Sequence, residues 1–170
     1  TVSNLSSTRA LADVTHKHGG QYHASAVGEV NVVNEMKRTH AIIGGEGNGG
    51  VIVPDLHYGR DALAGIAIFL SLLAEKGISM TELKATYPTY VIIKDKLELT
   101  PSLDLNFIFA NIKERFKNEK INEIDGLKID FAEGWVYMRQ SNTEPIVRIY
   151  CEAKDDVTGQ SLIQKLKSII

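Results

Sequence analysis

Along the first 86 residues, apolar and polar positions alternate between strand-like and helical spacing. Ser6, Ser7 and Thr8 offer N-cap oxygens to a helix running to about Lys17, with Leu11, Val14 and His18 on its inner stripe and Gly19-Gly20 at its end. Tyr22 to Val27 reads as a strand, and Val30 to Met36 fits either helix or strand. Ala41-Ile42-Ile43 predicts a short buried strand running into Gly44-Gly45-Glu46-Gly47-Asn48-Gly49-Gly50, followed by a strand at Val51 to Val53 that Pro54 stops. Asp61 opens a helix to Lys76 that is apolar on nearly every face, which predicts a place deep in the core. Gly77 ends it, and Met80 to Thr86 forms a short further helix. Strands alternating with helices predict an α/β layer fold over residues 1–86.

Residues 87–100 break this rhythm with Pro88 and the charged Lys94-Asp95-Lys96, just before Pro101, and read as a connection containing a strand at Tyr90 to Ile93. From 101 to 170 the pattern is that of a second, smaller α+β domain, an antiparallel sheet with flanking helices that begins as early as residue 91. Leu105, Ile108, Phe109, Ile112 and Phe116 keep helical spacing, and Leu127 to Phe131 and Trp135 to Arg139 form a hairpin closed through Glu133-Gly134. Ile146 to Glu152 alternates, Val147, Ile149 and Cys151 facing one side and Arg148, Tyr150 and Glu152 the other. A last helix turns Leu162, Ile163, Leu166, Ile169 and Ile170 inward.

Nineteen basic residues against twenty-one acidic ones give a net charge of −2. That balance removes the main electrostatic reason to expect nucleic-acid or anionic-membrane binding, since either needs a concentrated basic surface. The longest apolar run, Ala62 to Ala74, is about thirteen residues against the roughly twenty that span a bilayer. The single cysteine, Cys151, makes no internal disulfide and points to a reducing compartment, the cytoplasm. Thr1-Val2-Ser3-Asn4-Leu5 reads as a strand already under way, so the chain is expected to be part of a longer protein.

Two loops carry candidate chemistry. Gly45 to Gly50 has a carboxylate in its middle and lacks the Lys-Ser/Thr that follows in a phosphate-cradling loop, and Glu46 would repel a phosphate. Glu46 is suited to accept two hydrogen bonds from adjacent sugar hydroxyls, with Asn48 adding a donor and an acceptor. The same residues also make an ordinary turn rich in positive-φ positions. In Arg139-Gln140-Ser141-Asn142-Thr143-Glu144-Pro145, with Arg148 on the next strand, a guanidinium and successive backbone N–H groups supply an anion nest. Ser-Asn-Thr-Glu-Pro is equally good turn chemistry. His16 and His18, two apart on a helix, cannot share a metal, and no zinc spacing or nucleophile–base pair occurs. His57-Tyr58-Gly59-Arg60 fits either the border of a site or an exposed loop, while Cys151 reads as a buried thiol and Trp135 as packing.

Together the two loops resemble the α-D-phosphohexomutase superfamily: phosphoglucomutases, phosphomannomutases and phosphoglucosamine mutases. Its members carry a sugar-recognition loop G-E-x-S-G in their third domain and a phosphate-binding loop R-x-S-[GN]-T-[ET]-P in their fourth. Gly45-Glu46-Gly47-Asn48-Gly49 departs from the first, with Asn48 in place of serine and Gly50 where histidine is frequent. Arg139 to Pro145 matches the second in full. Val27-Gly28 after a strand and the Gly59-Arg60-Asp61-Ala62 helix entry are also similar to the family. The resemblance implies most of a third domain followed by a fourth domain with a four-stranded antiparallel sheet. It implies that Glu46 and Asn48 hold the hydroxyls of a hexose or aminohexose phosphate, and that Arg139, Ser141, Asn142, Thr143 and Arg148 hold its non-reacting phosphate. The parent protein would be an isomerase that moves a phosphoryl group within the sugar, using Mg2+ and a sugar bisphosphate activator. The family's serine loop T-A-S-H-N-P and metal loop D-G-D-x-D-R do not occur in these 170 residues. No catalytic or metal residue is therefore expected here, and the missing N-terminal domains are expected partners. The alternative reading is a stand-alone sugar-phosphate-binding or regulatory module without catalysis. The last is a structural fragment whose loops are only turns.

Overall fold

The computed structural model describes residues 1–100, 103–141 and 143–170. They form two compact units, Thr1–Thr89 and Tyr90–Ile170.

The first unit is an α/β layer. Strand β1 (Val2–Asn4) leads into helix α1 (Ala10–Lys17), β2 (His23–Ser25), α2 (Glu29–Thr39), β3 (Gly44–Gly45), β4 (Val51–Val53), β5 (His57–Arg60), α3 (Ala62–Lys76) and α4 (Met80–Ala85). The sheet order is β2-β1-β3-β4-β5, parallel among the first three and antiparallel from β3 onward. Val2, Val32, Met36, Ala41 and Ile52 make its core.

Several elements differ from the sequence reading, each for a local reason. Thr8 accepts from the Ala10 N–H at 3.2 Å, but Ser6 and Ser7 are not caps: both donate to the Asn4 side chain. The inner residue of α1 is Thr15, whose hydroxyl reaches the Leu11 carbonyl at 2.7 Å, while His18 lies exposed beyond the last turn. Val30 to Met36 is helical, with Val32 and Met36 buried one turn apart. The expected strand at Ala41 to Ile43 sits instead on Gly44–Gly45, and Ile42 is exposed. Glycine is needed there because a Cβ on Gly44 would meet the Met36 sulfur at 2.4 Å. His57 to Arg60, read as loop, is β5, joined to β4 through a register shift at Ile52/Val53. Helix α3 starts where expected, Asp61 accepting from the Ala64 N–H, yet only Ala64 is buried among its residues. It rests its Ala64–Gly65 edge against Val51 and leaves Leu63, Ile66, Ile68 and Leu70 at 46–79% exposure.

The second unit is α+β: β6 (Val91–Glu98), α5 (Leu105–Arg115), β7 (Lys120–Asn122), β8 (Leu127–Asp130), β9 (Gly134–Gln140), β10 (Ile146–Ala153) and α6 (Asp156–Lys167). Its antiparallel sheet has five strands rather than four, in the order β6-β10-β9-β8-β7. Within 87–100, residues 91–98 pair along the whole of β10. One sheet face meets α5 and α6 through Ile108, Ile112, Met138, Val147, Ile149, Cys151 and Leu162, among others. Burial, then the Glu152 charge, push the Cys151 thiol up to about 11. Glu152, expected on the open face, is buried, and accepts from the Trp135 indole N–H at 2.9 Å. A buried carboxylate survives only with such partners. Among the described residues no helix is long and apolar enough to cross a membrane.

Candidate functional site

In the first unit, β1 lies between β2 and β3. The chain leaves β1 toward β2 on one side and leaves β3 toward β4 on the other, so the connections diverge from two neighbouring carboxyl ends. Such a switch point opens a crevice for ligands in α/β sheets. Glu46 stands at the end of β3. Its N–H donates to the Gly50 carbonyl at 2.9 Å, and its own carbonyl accepts from Gly49 at 3.0 Å, folding the loop back on itself. The approach is so close that a Cβ on Gly45 would lie 2.1 Å from the Gly50 oxygen. The Glu46 carboxylate is half-buried and accepts from Asn4 Nδ2 at 3.0 Å. A cavity of about 230 Å³ beside it is lined by Ser3, Ser7, Thr8, Gly45 and Glu46, among others. Asn48 is exposed, its Oδ1 within 3.4 Å of the Gly50 N–H. It borders a different, open cleft with Glu29 and Arg60, which are ion-paired at 2.8 Å.

In the second unit, Arg139 and Arg148 are direct cross-strand partners, so their side chains leave the same sheet face. The turn that joins their strands buries Ser141, whose N–H donates to the Ile146 carbonyl at 2.9 Å and whose hydroxyl lies 3.3 Å from that of Thr143. Asn142 lies outside the described residues. Arg139 Nε donates to Asp125 at 2.9 Å and Arg148 Nη2 to Glu144 at 2.8 Å. Burial, with the Asp125 charge added, keeps the neighbouring Tyr137 phenol protonated far above its ordinary range. The Arg148–Glu144 pair is half-exposed. Pairs of this kind are worth only about 0.2–1 kcal/mol, so an arriving dianion can displace the glutamate.

Sequence reasoning missed three participants. Lys96 on β6 is the direct cross-strand partner of Arg148 on β10, extending the two arginines into a row of three cations. Its ammonium bonds Glu98 at 2.7 Å, which raises its pKa. Asp125 and Asn4 are the others. Strand register brings in Lys96 and Asn4, and Asp125 enters from the turn between β7 and β8; no spacing in the sequence carries either. Among the described residues no group of three or more His, Cys, Asp or Glu is placed to hold a metal.

Residues 1–90 match the family profile described as phosphoglucomutase/phosphomannomutase, alpha/beta/alpha domain III. Residues 98–168 match the one described as phosphoglucomutase/phosphomannomutase, C-terminal domain. The chain belongs to the phosphoglucomutase/phosphomannomutase family. Within it, the phosphoglucosamine/phosphogalactosamine mutase of Sulfurisphaera tokodaii is 34% identical, over 99% of this chain and 38% of its own length. The phosphoglucomutase/phosphomannomutase of Thermococcus kodakarensis is also 34% identical, over 96% of this chain and 36% of its own. A phosphoglucomutase/phosphomannomutase family protein from Burkholderia thailandensis superposes with a TM-score of 0.80 at 25% identity, over 99% of this chain and 36% of that one. The N-acetylphosphoglucosamine mutase of Aspergillus fumigatus, at 16% identity and a TM-score of 0.67 over 99% of this chain and 38% of that one, shares the fold. The chain thus spans about 38% of the length of the curated relatives it matches. These relatives are named as mutases, which are isomerases. The two units described above correspond to the family's domain III and C-terminal domain.

Proposed function

We propose that this chain is the substrate-gripping C-terminal portion of a cytoplasmic phosphohexomutase. Glu46, with Asn48, receives the hydroxyls of a hexose or aminohexose phosphate. Arg139, Ser141, Asn142, Thr143 and Arg148 receive the phosphate that does not react. The observation that carries the reading is the side-by-side exit of Arg139 and Arg148 next to the Ser141–Thr143 hydroxyls. Two guanidinium forks and a hydroxyl turn match the oxygens of a phosphate dianion, while the Glu46 carboxylate, bonded to a neutral amide, suits neutral alcohols.

The parent enzyme would pass a phosphoryl group from an upstream phosphoserine to the sugar and recover one from the other end, with a sugar bisphosphate as activator. A loop that grips phosphate at either end of the sugar lets the same residues serve both halves of that cycle. The Aspergillus fumigatus mutase is described in complex with GlcNAc-6P and magnesium. Mg2+ in the longer protein would be held by the aspartate-rich loop expected upstream of these residues. The aminosugar is favoured by the Sulfurisphaera tokodaii relative's name. The test is an assay of the longer protein with glucosamine, glucose and mannose phosphates plus a sugar bisphosphate. Interconversion of the 1- and 6-phosphates is expected. A longer protein inactive on all three contradicts the assignment, and sugar-phosphate binding without turnover would favour the stand-alone module.

A further inference from the structure

We infer that Asn4 is the positioning residue that aims the Glu46 carboxylate, an inference that rests on the proposed role of Glu46 in binding sugar hydroxyls. Parallel pairing of Val2 with Gly44 and of Ser3 with Gly45 makes Asn4 and Glu46 the next residues out, side by side at the carboxyl ends of β1 and β3. Asn4 is buried at 3% exposure, and its side-chain amide is held at both ends. Oδ1 accepts from Ser6 at 3.0 Å and from Ser7 at 2.8 Å, while Nδ2 donates to Glu46 Oε1 at 3.0 Å. The orientation is dictated by chemistry: turning the amide over would set its oxygen against a carboxylate.

Glu46 needs this support. It lies between glycines in a loop folded back through its own bonds to Gly49 and Gly50, and its side chain has three torsions to fix. Fixing one carboxylate oxygen from the buried side leaves the other lone pairs turned to the crevice, where two neighbouring hydroxyls can donate. The serines that the sequence offers as helix caps thus anchor the amide that anchors the acid.

The test uses the 170-residue chain. Asn4→Asp keeps the acceptor for Ser6 and Ser7 and replaces the donor with an anion. Asn4→Ala removes both without adding charge and serves if the first variant fails to fold. Side-chain methylene relaxation by NMR, without ligand, should find Glu46 ordered in the wild type and mobile in either variant. Asn4→Asp combined with Glu46→Gln exchanges donor and acceptor and should restore the order. Titration with glucosamine 6-phosphate should show about tenfold weaker binding in each single variant. The exchanged pair should not recover it, because the charge has moved into the protein. Unchanged Glu46 order in folded Asn4→Asp or Asn4→Ala, or wild-type affinity in both, overturns the inference. A wild type with ordered Glu46 and no affinity for the sugar phosphate contradicts the functional reading instead, and leaves Asn4 as the residue that holds Glu46.

Discussion

The two units bury their apolar residues differently. The second closes a continuous core between one sheet face and helices α5 and α6, with Met138, Val147, Ile149 and Ile163 at 0–1% exposure. The first has a thin core around Val2, Met36 and Ile52, and its longest helix rests on β4 by a small-residue edge. The candidate sites follow the same division. Arg139 and Arg148 stand on long strands of a well-packed sheet, so backbone register alone sets them together. Glu46 stands on a glycine loop beside three-residue strands, and its position depends on a buried hydrogen-bond network. Strand register brings the cationic residues together, with Asp125 and Glu144 as their ion-pair partners, whereas the acidic residue on a short-stranded layer is held by a buried amide.

The largest expected effect breaks or sharpens the contrast in packing. Ile149→Ala should destabilise the second unit by about 2–5 kcal/mol, the range for emptying a fully buried aliphatic site. Leu63→Ala on the exposed side of α3 should stay within about 0.5 kcal/mol. Denaturant unfolding of both variants checks this, and equal losses would erase the contrast. Next in size, Arg139→Ala should weaken phosphate affinity by about 1.5–3 kcal/mol, the scale of hydrogen bonds to charged groups. Calorimetric titration with a hexose phosphate reads it, and wild-type affinity in the variant would return the turn to plain hairpin chemistry. The smallest effect concerns pH. Lys167 bonds Asp95 at 2.6 Å and holds its carboxyl below the usual range. A carboxyl lowered in the folded state contributes stability above its unfolded pKa, near 4, and loses it as pH falls through the lower folded value. The second unit should therefore lose about 1 kcal/mol or less through this pair on acidification, after solvent screening. Melting temperature against pH should flatten in Asp95→Asn, and an unchanged slope would remove the pair from the account.

Much of this architecture was legible in the sequence because local chemistry decided it. Asp61 and Gly77 bracket α3, the β8–β9 hairpin turns at Glu133-Gly134, and α5 and α6 show their buried stripes. What escaped depends on contacts across the chain. Gly44–Gly45 has no side chains to announce a strand, and its pairing is decided by β1 and by Met36 filling the space above. An all-apolar helix such as α3 carries no stripe, so its pattern could not say which face, if any, is covered. Glu152 looked solvent-facing by alternation because its indole partner is 17 residues away. At the sites, Glu46, Arg139 and Arg148 were visible as residue types in telling loops. Asn4 and Lys96 were not, since each enters only through strand register.

The most direct test of the central claim, that the Glu46 loop and the Arg139 turn each take part in binding a hexose phosphate, is backbone amide NMR of the 170-residue chain titrated with glucosamine 6-phosphate. The account predicts shifts at amides of 44–50 and of 139–148, with Glu46→Gln weakening the first response and Arg139→Ala the second. A region that does not shift, or that responds as in the wild type in its own variant, would contradict it.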